Sequence, residues 1–320
     1  MRAMVIRAFG GPEVFDLQEV PDPTPGPGEL RVRVAASSVN PVDYKIRRNG
    51  AWAGVRPPAI IGYDVSGVVD AGGPGVTERR PGDEVYYTPE IFGGRPGSYA
   101  QYHVVDAAIV ARKPRNLDHV QAAAVPLAGG TAWDALVVRA GVRAGETVLI
   151  HGGAGGVGHF AVQIARASGC RVLATCSRRN LDFVRELGAD VAIDYEAEDF
   201  VERTLRETDG QGVDVVFDTV GGPLLARSIE ATRPGGRLVS IVSAAGSLDA
   251  AHRKNLTVHF LFLLRERRRL DALRSLIERG LLRPVVDEVL PLEQVARAHA
   301  RLESGHGRGK IVLEIPSRDP

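Results

Sequence analysis

The sequence predicts an α/β chain in two parts: a β-rich, turn-dense opening, then a doubly wound parallel sheet. Three observations predict it. Residues 1–118 carry short alternating apolar runs, separated by turns at Pro74-Gly75, Pro81-Gly82 and Pro96-Gly97. From about residue 119 strand and helix patterns alternate, as they do where parallel strands are joined by crossover helices. Between the strand-like 147–151 and the helix-like 157–165 lies a glycine cluster with the frame G-x-G-x-x-G at Gly153, Gly155 and Gly158.

In the opening part, Leu30-Arg31-Val32-Arg33-Val34 alternates at period two, as a half-buried strand does. Further strands are expected at 65–69, 84–87 and 98–105, which together suggest a small barrel or sandwich. Residues 122–125 and 133–139 read as helical. After the glycines, Val157, Phe160, Ala161, Ile164 and Ala165 share one helical face. A second strand, 171–176, follows at the spacing of a strand–helix–strand unit. Asn180 is expected to cap a helix through Leu187, ended by Gly188. Strands are then expected at 191–193, 213–218 and 237–242, with helices near 199–206 and 223–231 and a last strand of the sheet at 257–263. The tail reads as helices at 270–279 and 292–302 and a strand at 310–315.

Composition narrows the functional classes. The chain has 320 residues, 44% hydrophobic and 25% charged, with a formal net charge of +1. That balance suggests neither a nucleic-acid nor an anionic-membrane partner, and the arginine-rich run 265–269 is expected to be a solvated helix face. The two cysteines, Cys170 and Cys176, make no ligand or disulfide framework and suit a reducing compartment. No signal-peptide pattern opens the chain, and no apolar run reaches the roughly 18 residues of a membrane span. A cytoplasmic location is expected.

The glycine frame has a chemical use. The first glycine permits a tight turn, the second a close approach of backbone to a pyrophosphate, and the third close helix packing, while the helix N-terminus offers N–H groups to phosphate. Gly155, Gly156 and Val157 are expected to form that turn. An acidic residue ending the second strand would hold the ribose 2′-OH of NAD, but Ser177-Arg178-Arg179 stands there, with no carboxylate before Asp182. A hydroxyl and guanidinium groups suit a 2′-phosphate, so NADPH is the expected cofactor; the alternative is a solvated arginine loop. Tyr195 joins Ser177 and Arg178 as a candidate for the adenosine end. Val220 and Gly221, after one strand, and Ser243, after the next, are expected at the crevice of the sheet.

Blocks along the whole chain carry a resemblance: Phe9-Gly10-Gly11-Pro12-Glu13, Val39-Asn40-Pro41-Val42-Asp43-Tyr44-Lys45, Ile61-Gly62-Tyr63-Asp64-Val65-Ser66-Gly67, Gly130-Thr131-Ala132, the 152–158 glycine stretch, Leu187-Gly188-Ala189-Asp190 and Arg308-Gly309-Lys310-Ile311-Val312. In these the chain resembles the medium-chain dehydrogenase/reductase superfamily, and within it the zinc-free quinone oxidoreductases related to zeta-crystallin. The resemblance implies a GroES-like β-rich substrate domain (1–118, completed by 265–320) plus a Rossmann doubly wound parallel sheet (119–264). It also implies a homodimer. Zinc-dependent relatives supply cysteine where this chain has Asn40 and a histidine–glutamate pair where it has Tyr63-Asp64, so no metal is expected. Without a Lewis acid the expected acceptor is a quinone or an α,β-unsaturated carbonyl. Asn40 and Tyr44 are the expected hydrogen-bond donors to it, with Tyr63 as a second phenol. Asn40-Pro41 could instead make a turn, and the tyrosines could be packed core edges. Thr131 and Lys310 match positions near the cofactor; Lys310 could equally be a solvated lysine opening the last strand. An enoyl-thioester reductase and a non-catalytic NADPH-binding sensor or structural protein are the competing readings.

Overall fold

A computed structural model describes residues 1–243, 245–305 and 307–317. The chain divides into two units. One comprises Met1–Ala128, Leu264–Arg279 and the stretch from Pro284 onward; the other comprises Gly129–Leu263 and Gly280–Arg283.

The first unit opens with β1 (Arg2–Ile6), which pairs antiparallel with β2 (Phe15–Glu19). Strand β3 (Glu29–Ser38) buries Leu30, Val32, Val34 and Ala36, so the period-two pattern read in the sequence faces a core. Helix α1 (Pro41–Asn49) follows, then the short β4 (Ala59–Ile60), β5 (Val65–Gly72), β6 (Glu84–Tyr87), β7 (Tyr102–Asp106) and β8 (Ala111–Arg112). The strand expected at 98–105 begins only at Tyr102. Ser98 and Tyr99 instead bond to the carbonyls of Gly62 and Ile61, which holds them off the β3 ladder. Helix α2 (His119–Ala123) packs on β3 and β5, so this stretch belongs with the β-rich unit.

Helix α3 (Pro126–Trp133) leads through a π-helical turn into the second unit. There β9 (Thr147–His151), α4 (Gly158–Ala167), β10 (Arg171–Cys176), α5 (Leu181–Glu186), β11 (Val191–Asp194), α6 (Phe200–Glu207), β12 (Val213–Asp218), α7 (Leu224–Ala231), β13 (Thr232–Ser240), α8 (Asp249–Arg253) and β14 (Thr257–Phe260) alternate. The six strands are parallel in the order β11-β10-β9-β12-β13-β14, so the direction of winding reverses between β9 and β12. Leu149, Leu173, Val216 and Leu238 pack with Phe200, Leu225 and Ile229. Their neighbours Val148, Ile150, Val172 and Val215 are equally buried, because helices cover both faces of a parallel sheet.

Two strand ends differ from expectation for one reason. At Ser240 the chain turns out of the sheet, its Oγ donating to the carbonyl of Val242 at 3.2 Å. Among the described residues strand β14 pairs only with β13, and its last pair is Ser240↔Phe260, so it stops where its partner stops.

The tail holds α9 (Arg267–Glu278), β15 (Val286–Pro291), α10 (Val295–Glu303) and β16 (Lys310–Glu314). Strand β16 lies between β15 and β3, giving the order β15-β16-β3-β5-β6-β8. The run 265–269 is not the solvated face expected of it. Arg265 pairs with Glu90, Arg267 with Glu78 at 2.5 Å, and Arg269 is buried.

Candidate active site

Each unit carries a polar cluster formed by expected site residues. In the first, Asn40 has an extended backbone (φ −128°, ψ 155°) and Pro41 follows at the first position of α1, where its missing N–H costs nothing. Asp43, three residues on, turns back to accept from the backbone N–H of Asn40 at 2.6 Å. Asn40-Pro41 is therefore a helix start rather than a free turn.

The Asn40 side chain is 1% exposed. Its Nδ2 donates to Asp64 Oδ2 at 2.7 Å and lies 3.4 Å from the Ser38 carbonyl, while its Oδ1 accepts from Lys310 Nζ. An ammonium on one side and a carboxylate on the other fix the orientation of the amide. Asp64 also accepts from Ser38 Oγ at 2.6 Å and from the Leu127 N–H at 2.8 Å. Lys310 donates to the Val39 carbonyl at 3.1 Å and stands 3.5 Å from Asp64. It is 3% exposed, which removes the reading of it as a solvated lysine. Burial pushes the Asp64 carboxyl up and the Lys310 ammonium down; the attraction between them opposes both shifts.

Asn40 thus spends its amide hydrogens inside the protein, a difference from the substrate donor expected of it. Tyr44 sits half-buried on α1, with the Arg48 guanidinium 5.5 Å from its ring centroid. Tyr63 is buried, and desolvation together with the nearby Asp43 pushes its phenol up.

Sequence reasoning missed a chain of groups behind this cluster. Asp43 Oδ2 also accepts from the Tyr99 hydroxyl at 2.9 Å. His299 Nε2 lies 3.2 Å from the Tyr99 oxygen, His299 Nδ1 lies 3.1 Å from Arg47 Nη1, and Arg47 Nη2 bonds Glu303 at 2.5 Å. Arginine only donates, so Nδ1 accepts and Nε2 carries the ring proton toward Tyr99. Burial pushes the Asp43 carboxyl up to about 7, and its Oδ1 has no partner among the described residues. The spacing of Asn40 and Asp43 was the one available signal.

The second cluster lies at the carboxyl ends of the parallel strands. Gly152 leaves β9 with φ +71°, a left-handed conformation that only glycine adopts without strain. The tight turn is therefore made one residue before the expected frame. Gly153, its first member, is instead packed against Ala174, where a Cβ would meet that side chain at 2.9 Å. A Cβ on Gly158 would lie 2.0 Å from the Gly152 carbonyl, so the start of α4 presses on the turn itself. Gly155, Gly156 and Val157 lie between, partly accessible.

Ser177 and the exposed Arg178 follow β10. Asn180 does not cap α5 through its side chain; its Nδ2 donates to Ser177 Oγ at 3.1 Å. The Ser177 proton remains available to another acceptor. The exposed Tyr195 follows β11. Val220 and Gly221 follow β12, their amides both donating to Asp218 Oδ1 at 2.9 Å, and the exposed Ser243 follows β13. Thr131 is buried in α3. The glycine turn, Ser177, Arg178, Tyr195, Val220, Gly221 and Ser243 thus share one end of the sheet, which suits a dinucleotide. Lys310 belongs to the other cluster.

The amide, carboxylate and ammonium of the first cluster do not suit zinc, which takes deprotonated N, S or O ligands and would lie beside a like charge. Among the described residues no group of three or more His, Cys, Asp or Glu side chains could hold a metal ion. No helix of the described residues is long and apolar enough to cross a membrane.

Comparison with known proteins gives two family matches, the alcohol dehydrogenase GroES-like domain over residues 26–115 and the zinc-binding dehydrogenase over 187–313. The chain is 32% identical to a quinone oxidoreductase of Homo sapiens, over 98% of this chain and 97% of that one. It is 35% identical to a chloroplastic NADPH-dependent alkenal/one oxidoreductase of Arabidopsis thaliana, over 98% and 79%. A crystal structure of an NAD-dependent alcohol dehydrogenase superposes with a TM-score of 0.93 at 36% identity, over 99% of this chain and all of that one (100%).

Proposed function

For a chain that belongs to the medium-chain dehydrogenase/reductase superfamily, among its quinone oxidoreductases, and is therefore a nicotinamide-dependent oxidoreductase, we propose zinc-independent hydride transfer from NADPH to a quinone or an α,β-unsaturated carbonyl. The observation that carries this reading is the buried Lys310 ammonium held against Asn40 and Asp64, which leaves a cationic zinc one carboxylate, already paired, beside a like charge. An acceptor that takes hydride without Lewis-acid help is the consistent substrate class.

When bound, NADPH supplies the hydride. The turn 153–158 binds the pyrophosphate through backbone N–H groups, and Ser177 and Arg178 take the 2′-phosphate, with Tyr195 beside the adenosine. Val220, Gly221, Ser243 and Thr131 line the remainder of the dinucleotide. Tyr44 and Tyr63 donate hydrogen bonds to the acceptor oxygen as negative charge develops on it. Asn40 and Lys310 act behind them, holding the start of α1. The protein works as a cytoplasmic homodimer. In support, its two cysteines are free and buried, and the edge strand β14 pairs on one side only and leaves Phe260 54% exposed.

The test is NADPH oxidation with 1,4-benzoquinone, 9,10-phenanthrenequinone, a short enone and a crotonyl thioester, with NADH, added zinc and a chelator as controls. Turnover of a quinone or enone, preferring NADPH and indifferent to zinc and chelator, is expected. Loss of activity with the chelator would sink the zinc-independent reading. A preference for NADH would reduce Arg178 to an ordinary loop residue.

A further inference from the structure

We infer that His151 is a positioning residue for the dinucleotide turn, holding the Gly152 amide through Thr175 as a neutral imidazole protonated on Nε2. His151 is the last residue of β9, buried beneath the turn that begins at Gly152. Its Nε2 lies 2.9 Å from Ser228 Oγ on α7 and its Nδ1 lies 3.2 Å from Thr175 Oγ1 on β10. Thr175 Oγ1 in turn accepts from the Gly152 N–H at 3.2 Å.

The chemistry of the groups at the two ends fixes every direction. Ser228 gives its proton to the Leu224 carbonyl at 2.7 Å, so toward His151 its oxygen accepts and Nε2 must carry the hydrogen. Thr175 accepts from Gly152, and its own proton points to Nδ1. One wire therefore runs from the Gly152 amide through Thr175, His151 and Ser228 to the Leu224 carbonyl, and only one tautomer completes it. A proton on Nδ1 would leave the Nε2 lone pair facing the Ser228 oxygen, whose own proton is spent on the Leu224 carbonyl.

The surroundings keep the ring neutral. Burial pushes His151 down to about 4; the Asp218 carboxylate on β12 opposes that shift, and the Arg227 guanidinium on α7 adds to it. The ring edge packs on Phe200 of α6 at 4.7 Å between centroids. The backbone carbonyl of His151 also accepts from Thr219 Oγ1 at 2.7 Å, so this residue is tied to the turn after β12 as well. What the wire holds is the N–H of Gly152. The carbonyl of the same residue, in the next peptide plane, lies 2.0 Å from where a Cβ on Gly158 would sit, so the residue held at one end limits at the other how closely α4 can begin.

The inference rests on reading this turn as the dinucleotide site, so the test separates the two. NADPH affinity is measured by the fluorescence of the bound cofactor for the wild type, Thr175→Val, His151→Phe and the double variant. Thermal unfolding and quinone KM are followed in parallel, and the wild-type His151 tautomer is read by ¹⁵N NMR. Losing one link is expected to weaken NADPH binding by about tenfold, the equivalent of about one hydrogen bond. The double variant should lose no more than either single one, because all act on one wire. Quinone KM should stay within about twofold. A wild type that does not bind NADPH would remove the cofactor reading and this inference with it. A wild type that binds, beside a Thr175→Val protein that binds equally well, overturns the positioning role alone. So does an Nδ1–H tautomer, a result that stands even if His151→Phe does not fold.

Discussion

The two polar clusters solve the same problem, holding a functional backbone in place, with opposite means. The first-unit cluster is ionic and assembled from afar: Asn40 opens α1, Asp64 precedes β5 and Lys310 begins β16. At the second-unit cluster the turn 152–158 itself is held by neutral groups close in sequence, Thr175 and His151 beneath it. A buried ion pair is strongly unfavourable when one partner is lost, whereas a neutral hydrogen-bond wire loses little more than one bond. The difference teaches that the first site is a point of global stability and the second a point of local precision.

The largest test of that contrast is Lys310→Met. It strands the Asp64 carboxylate and should destabilise the protein by about 3–5 kcal/mol in urea unfolding, with partial recovery on adding Asp64→Asn. A loss below about 1 kcal/mol would break the comparison. Gly158→Ala should cost about 1–3 kcal/mol through overpacking on the Gly152 carbonyl and should abolish NADPH binding by calorimetry. Wild-type affinity in that variant would mean the turn has more freedom than its geometry implies. Arg178→Ala should raise KM for NADPH by about tenfold, leave KM for NADH unchanged and leave the melting temperature alone, as expected for one exposed charge-assisted contact.

The smallest effect is a pH slope. The folded protein holds the Asp43 proton up to about 7, against an ordinary value of 3.8. The contribution of this carboxyl to stability is complete below about pH 4 and is lost as pH rises through 7. Asparagine cannot ionise, so the melting temperature of Asp43→Asn relative to wild type should climb between pH 5 and pH 8. A flat difference would place the Asp43 proton elsewhere.

The same contrast governs what the sequence revealed. The glycine turn was legible because close backbone approach demands glycine at fixed, short spacing, although the left-handed position fell at Gly152, outside the motif. The sheet was legible because its strands are covered on both faces and read as apolar runs between helical stretches. The resemblance singled out Asn40, Tyr63 and Lys310, but not that Asn40 and Lys310 would bond one another, since nothing local links residues separated by 270 positions. Helix α1 was hidden for a different reason: Asn-Pro opens a turn as readily as a helix, and only Asp43, reaching back three residues, decides between them.

The position of Lys310 on β16 has a consequence for the order in which the molecule is made. The six parallel strands are all synthesised by residue 260, and that unit can close around its glycine turn early. The β-rich unit cannot. The end of its third strand, residues 36–38, waits unpaired on one side, and Asp64 waits without its cation, until β16 emerges and pairs beside it. On the ribosome the glycine turn is therefore ready before the Asn40–Asp64–Lys310 cluster, and the lysine that pairs with Asp64 is also the residue that begins the strand completing that cluster.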